Sequence, residues 1–201
     1  MPPRRARHLR HGYAACVSYV DALVGQLLDE LEALNLRENT IVVLWSDHGY
    51  KLGDFGAWAK HTNFEIDTRV PLIISAPHLP EGEKSMALVE LVDLHPTLSQ
   101  LAGLPIQPGA EGESFYANLT NPGAGGQGAA FSQFPKGDYM GYSIRTATHR
   151  YTEWRDESGN APFSELYDYG ESNIEMINLA DDPAYHETAQ DLRSQLREAF
   201  P

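Results

Sequence analysis

From Gly12 to Leu34 the apolar residues Val17, Val20, Val24, Leu27, Leu31 and Leu34 recur at steps of three and four, with Asp21, Gln26, Glu30 and Glu32 off that stripe. This spacing predicts one long amphipathic helix. After the polar Asn35 and Arg37-Glu38-Asn39, the run Ile41-Val42-Val43-Leu44-Trp45 is continuously apolar and rich in β-branched side chains. Such a run predicts a strand buried on both faces, as in a parallel sheet. A second run of the kind is Val70-Pro71-Leu72-Ile73-Ile74. Helix, strand, irregular segment, strand, helix is the order of α/β layering around a parallel or mixed sheet. Between the two strands, residues 49–69 predict a loop with one helical turn. Loops leaving the carboxyl ends of such strands are where α/β sheets place their chemistry.

Further along, Leu88 to Val92 leads into Asp93-Leu94-His95-Pro96. Asp93 reads as an N-cap, Pro96 falls in the first turn, and Gly103 ends the helix. Pro105 to Gly128, closing on Gly123, Gly125, Gly126 and Gly128, predicts a long surface loop. Met140 to Thr146 and His149 to Trp154 alternate and predict an antiparallel hairpin, with Glu165-Leu166-Tyr167-Asp168 as a further short strand. Asp182 to Phe200 predicts a closing amphipathic helix that begins near Pro183. No repeat at solenoid spacing is present.

Composition narrows this picture. The 201 residues, 42% hydrophobic and 21% charged, suffice for one domain or one domain with a small appendage. There is no run of eighteen apolar residues, and no apolar stretch follows the basic residues of Met1-Pro2-Pro3-Arg4-Arg5. Neither a membrane span nor a signal peptide is visible. The net charge of -13 disfavours nucleic acid and anionic membrane surfaces, both of which reward a basic face. A small anionic substrate then requires a local cation. Arg4, Arg5, Arg7 and Arg10 form a local basic exception, read as a solvated start rather than a contact surface. Cys16 is the only cysteine, so an internal disulfide and a cysteine zinc site are excluded, and any metal must use oxygen or imidazole ligands.

The candidate chemistry lies in Ser46-Asp47-His48-Gly49, at the end of the first predicted strand. A carboxylate and an imidazole delivered together at a sheet rim make half of a metal site. The same three residues also suit a structural turn, with Asp47 capping backbone amides. Thirteen residues beyond Asp47 comes Lys60, in Trp58-Ala59-Lys60-His61-Thr62-Asn63-Phe64-Glu65. Near a cation it would add a second positive charge to a site for a tetrahedral anion; alone it reads as a solvent-exposed lysine. His61 by itself reads as a surface or second-sphere histidine. Glu65 and Arg69 fall four apart and read as a helix-face ion pair rather than substrate contacts. Tyr142, Arg145 and Trp154 alternate as a hairpin packing on the main domain does, in preference to lining a sugar site.

These segments, in order, resemble the second half of a type I sulfatase of the alkaline-phosphatase-like superfamily, in its iduronate-2-sulfatase-like branch. The likeness rests on Ser46-Asp47-His48-Gly49, on Gly53 to Lys60 with Trp58-Ala59-Lys60, and on Phe64-Glu65 followed by Arg69-Val70-Pro71-Leu72-Ile73. It extends upstream through Gly12 to Asp21 and downstream through Leu91-Val92-Asp93-Leu94-His95-Pro96-Thr97-Leu98, Met140 to Thr146, Tyr151 to Trp154 and Glu165 to Asp168. The resemblance implies an α/β fold: a partial alkaline-phosphatase-like sandwich with a mostly parallel sheet, plus a small carboxyl-terminal α+β subdomain with antiparallel strands. The domain plan is then a basic, disordered start at 1–11, the carboxyl-terminal half of a catalytic domain at 12–104, a long loop at 105–130 and the subdomain at 131–201.

The resemblance further implies one calcium ion (Ca2+) bound by Asp47 and His48 together with an aspartate pair from the amino-terminal half. It implies Lys60 as the catalytic lysine on the sulfate, with His61 beside it at the substrate. The nucleophile of the family is a formylglycine hydrate made from the first residue of a Cys/Ser-x-Pro-x-Arg motif. Cys16 is followed by Val17-Ser18-Tyr19-Val20, so it is not that residue and is expected to be a small buried hydrophobe of the helix. No aspartate pair precedes Asp47 as the family pattern requires. The expectation is therefore a sulfuric ester hydrolase, acting on a sulfated glycan or small molecule, whose amino-terminal half is missing from these residues. A phosphate or phosphonate monoester hydrolase, and a non-catalytic carbohydrate-binding module or inactive relic, are the other readings. The resemblance suggests an exported (periplasmic or extracellular) or lysosomal location, which the residues themselves do not specify.

Overall fold

Helix α1 spans Pro3–Ala33 in the computed structural model, which describes residues 1–170 and 174–201. Proline occupies its first turn, where a missing amide hydrogen costs nothing. The expected disorder of residues 1–11 is corrected here: from Pro3 onward they are the opening turns of this helix. Alanine, arginine and leucine favour helix, and Arg10 is tied down, its Nε donating to the Leu52 carbonyl at 2.8 Å and its guanidinium lying 5.8 Å from the Trp58 ring centroid. The apolar stripe is present but poorly covered: Val24, Leu27, Leu31 and Leu34 line an open groove with Ile41 to Trp45, and the stripe before them is exposed. No residue of α1 is buried, and Val17, Val20 and Leu27 are each more than half exposed. Cys16 is likewise exposed, contrary to the sequence expectation, because no described element lies over that face.

The two apolar runs form β1 (Val42–Trp45) and β4 (Leu72–Ser75), paired from Val42 opposite Ser75 to Trp45 opposite Leu72. They run antiparallel, where the composition of each run suggested a parallel pairing. A continuous apolar run does not encode direction, and the expected burial on both faces is not met either: no residue of β1 or β4 is buried, and Trp45 and Ile73 are more than half exposed. Here the intervening chain folds back at the carboxyl end of β1: β2 (Lys51–Leu52) and β3 (Trp58–Ala59) form a short hairpin, and α2 (Glu65–Thr68) is a single turn. The chain therefore enters β4 from the end at which it left β1.

Helix α3 (Leu94–Leu101) ends at Ala102, with Gly103 following at φ 67°, as the sequence predicts. Asp93, however, makes no N-cap hydrogen bond to α3. It closes a reciprocal capping box with Glu90, accepting from the Glu90 amide at 2.8 Å, and also accepts from the Glu113 amide at 2.8 Å and Gln127 Nε2 at 3.1 Å. The loop from Pro105 to Gly128 is thus pinned at Glu113 and at Gln127 by one buried carboxylate, and between them it contains the short helix α4 (Tyr116–Thr120).

Beyond it, β5 (Ala129–Lys136), β6 (Tyr139–Thr146), β7 (His149–Arg155) and β8 (Phe163–Asp168) form an antiparallel meander in chain order. The sequence predicts the last three. Strand β5 escapes it because Pro135 interrupts the run, yet proline is tolerated on an edge strand. One face of the sheet is apolar. Ile144, Tyr151 and Leu166 sit side by side across β6, β7 and β8 and pack against Leu192 and Leu196 of α5 (His186–Ala199).

The opposite face is polar and docks on the segment around α2. Asn63 Nδ2 donates to the Gly141 carbonyl at 2.9 Å, and Glu65 accepts from Arg145 Nε at 2.9 Å and Arg150 Nη2 at 2.8 Å. The predicted Glu65–Arg69 pair is present only at 3.9 Å, with Arg69 largely exposed; these two arginines are the stronger partners. Burial pushes the Glu65 carboxyl up, but the hydrogen bond and charge of Arg145 and the charge of Arg150 outweigh it and hold the group below its ordinary value of 4.5. A carboxyl depressed in the folded state stabilises the fold above its unfolded pKa and loses that contribution as pH falls through the folded value. Denaturant unfolding carried into acid is expected to show stability declining below about pH 4.5, and Glu65→Gln is expected to flatten that decline.

Candidate metal and anion site

Strand β1 ends at Trp45, and the Ser46 amide still donates to the Pro71 carbonyl at 3.3 Å. The chain then turns. Ser46 Oγ donates to the His48 carbonyl at 2.8 Å, so Asp47 projects from a closed turn at the sheet rim, with its side chain largely exposed. Gly49 is needed for this turn to approach α2. Its amide donates to the Asp67 carbonyl at 2.7 Å, and a Cβ there would overlap the Ile66 carbonyl.

Lys60 arrives from the other side. It follows β3 and is flanked by two residues in the left-handed region, Ala59 at φ 73° and His61 at φ 81°. Such backbone costs a non-glycine residue about 1–3 kcal/mol and persists where surrounding structure imposes it. Here it delivers the ammonium group to Asp47, with Nζ donating to Oδ2 at 2.9 Å. The hydrogen bond and charge of Lys60 lower the Asp47 carboxyl below its ordinary value of 3.8. His61 completes the cluster. Its ring centroid lies 5.7 Å from that of His48 and stacks at 6.0 Å on Phe134 of β5.

Asp47, His48, Lys60 and His61, predicted from sequence as site residues, thus meet at one end of β1. A carboxylate and an imidazole suit part of the coordination sphere of a divalent cation with oxygen preference, which takes about six to eight ligands. They do not complete it. Among the described residues no group of three or more His, Cys, Asp or Glu is arranged to hold a metal.

Sequence reasoning missed the layer beneath. Lys51 and Asp67 are both buried and form an ion pair, in which Asp67 Oδ2 also accepts from Thr62 Oγ1. The pair spans sixteen residues of irregular chain, where no periodicity could signal it. Tyr142, Arg145 and Trp154 play packing roles, as the alternation suggests: Tyr142 contacts Phe200, Arg145 pairs with Glu65, and Trp154 Nε1 donates to Glu165 at 3.0 Å.

Comparison with known proteins bears on this arrangement. Residues 2–104 match the family model described as Sulfatase. Human iduronate 2-sulfatase is 36% identical over 209 aligned residues, covering 74% of this chain and 38% of that protein. A sulfatase of Formosa agariphila is 34% identical over 184 residues, covering 92% of this chain and 35% of that one. Among solved structures, a protein in complex with its substrate D-glucosamine-2-N,6-O-disulfate superposes with a TM-score of 0.83 at 30% identity, over 91% of this chain and 38% of its own. The phosphonate monoester hydrolase of Silicibacter pomeroyi does so with a TM-score of 0.80 at 25% identity, over 90% and 38%. The chain spans less than two-fifths of the length of each of these proteins.

Proposed function

The chain belongs to the sulfatase family, and on that premise we propose that it carries the Asp47, His48 and Lys60 portion of an active site that hydrolyses sulfate esters of a glycan or small molecule. Family members are sulfuric ester hydrolases and generally metal-dependent. The observation that carries the proposal is the contact of Lys60 Nζ with Asp47 Oδ2 at 2.9 Å, made across thirteen residues by a strained backbone. It joins an anion-binding cation to a carboxylate with a rim position suited to metal.

In this reading Asp47 and His48 hold calcium, alongside ligands supplied by an amino-terminal half. When bound, the ion supplies a Lewis acid that draws charge from the sulfuryl oxygens. Lys60 donates a hydrogen bond to a sulfate oxygen and stabilises the charge that develops as the ester bond breaks, an effect that grows when water is excluded. His61, held by Phe134, borders the substrate. The exposed stripe of α1 and the outward Trp45 and Ile73 suit burial against that amino-terminal half, which would also cover the open site. The nucleophile belongs to the same half, since Cys16 lacks the modification pattern.

A second reading, phosphonate or phosphate monoester hydrolysis, is favoured by the Silicibacter pomeroyi structure and by the indifference of a lysine and a cation to which tetrahedral anion they hold. Rates on an aryl sulfate and an aryl phosphonate separate the two. The 201-residue chain alone is expected to leave both intact. Joined to the remaining portion of the fold, it is expected to cleave the sulfate faster. Faster cleavage of the phosphonate selects the second reading, and turnover by the isolated chain that disappears on Lys60→Ala overturns the division of the site between two halves.

A further inference from the structure

Asp67 takes no part in the site as built so far, yet its carboxylate lies directly beneath it. The residue is fully buried. One oxygen, Oδ2, accepts from Lys51 Nζ and Thr62 Oγ1. The other, Oδ1, is inaccessible to solvent and has no hydrogen-bond partner among the described residues. It faces His48, with Nδ1 at 3.9 Å. Nδ1 also meets the Gly49 carbonyl oxygen at 2.9 Å.

These contacts restrict the imidazole. A carbonyl oxygen only accepts hydrogen bonds, so the contact with Gly49 requires the proton on Nδ1. The neutral ring then keeps its lone pair on Nε2. At 3.9 Å the Asp67 carboxylate is beyond hydrogen-bond length, but its negative oxygen favours the ring form whose N–H dipole points towards it. Lys51 supplies a counter-charge to that carboxylate in a buried place, where an uncompensated charge would be costly. Gly49 supplies the close approach of the two segments, because any side chain there would push α2, and Asp67 with it, away from the turn. Histidines that bind metals commonly have such an acceptor behind the ring, fixing tautomer and orientation.

We propose that Asp67 is a positioning residue which, with the Gly49 carbonyl, holds His48 in the Nδ1–H tautomer and leaves Nε2 as the ring atom for a cation. The inference deepens the metal-site reading and rests on it for its purpose, but its test needs neither metal nor turnover. Ring-nitrogen NMR shifts of the 15N-labelled chain, at a pH where His48 is neutral, report which nitrogen carries the proton. The exposed His8 and His11 serve as solution references. His48 Nδ1 is expected to resonate as a protonated, pyrrole-type nitrogen.

The variant Lys51→Met/Asp67→Leu removes both buried charges together and so leaves neither uncompensated. In it, the His48 Nδ1 signal is expected to move towards the pyridine type as the Nε2–H form gains population. Should that pairing fail to fold, Lys51→Gln/Asp67→Asn keeps the shape with neutral amides, and the same shift is expected. A wild-type His48 that is mainly Nε2–H, or unchanged ring shifts in a folded variant, overturns the proposal. A protein with the expected tautomer that cleaves no sulfate ester would instead count against the functional reading alone.

Discussion

Arg150→Met is expected to destabilise the protein by about 3–5 kcal/mol, the range for removing one partner of a buried ion pair. Arg150 is 2% exposed and sits on the polar face of the meander. Its Nε donates to Glu175 at 2.9 Å and to the Tyr169 hydroxyl at 3.0 Å, and its Nη2 donates to Glu65 at 2.8 Å and to Thr68 Oγ1 at 3.0 Å. Glu175 is itself 5% exposed; its first oxygen also accepts from the Tyr169 hydroxyl at 2.6 Å, and its second accepts from the Glu65 amide at 2.8 Å. Methionine would fill the volume but strand the Glu175 carboxylate, while Glu65 would keep Arg145. The guanidinium also joins the meander to α2, and α2 touches the Asp47-His48-Gly49 turn, so the loss reaches the site as well as the core. Urea unfolding checks the magnitude. The double variant Arg150→Met/Glu175→Gln is expected to recover part of the loss, since the stranded charge is then gone.

The second large effect concerns chemistry. In the complete enzyme, Lys60→Ala is expected to lower kcat on a sulfate ester by about 10²–10³-fold, the usual consequence of deleting one preorganised donor to developing negative charge. KM is expected to change less, because in the proposed role of Lys60 the interaction strengthens as charge builds on the sulfuryl oxygens. Lys60→Arg is expected to recover only part of the rate, since a planar guanidinium cannot occupy the point position of an ammonium between two left-handed residues. The free chain offers an independent readout. With Lys60 removed, the Asp47 carboxyl loses the partner that lowers it, and its titration is expected to move up towards the ordinary aspartate range. Steady-state kinetics and carboxyl NMR report the two effects separately.

Much of this architecture is legible in the chain itself, and the limits are physical. The hairpin of β6 and β7 shows in strict alternation because one sheet face meets α5 and the other meets charged groups. Helix α1 shows in its stripe, although nothing in a stripe says what will cover it; hence Cys16 and Val17 are exposed where burial was expected. The direction of β4 depends on where the chain returns, which apolar runs do not encode. Strand β5 is hidden by Pro135. In the site, Asp47 and His48 are marked by their place at a strand end. Lys60 gains meaning only from its neighbours, and the Lys51–Asp67 pair carries no local signal at all, being assembled by a hairpin of two-residue strands and a single helical turn.

The central claim is that Asp47 and His48, with Lys60 beside them, form the chain's contribution to a divalent-cation site. Two ligands give weak binding, so the direct measurement is paramagnetic broadening by substoichiometric Mn2+, which registers even sparse occupancy. Selective loss of amide signals at residues 46–49 and 60–61, abolished in Asp47→Asn/His48→Gln, is the predicted result. Broadening centred on other acidic stretches of the chain, with the Asp47 and His48 signals left sharp, would contradict it.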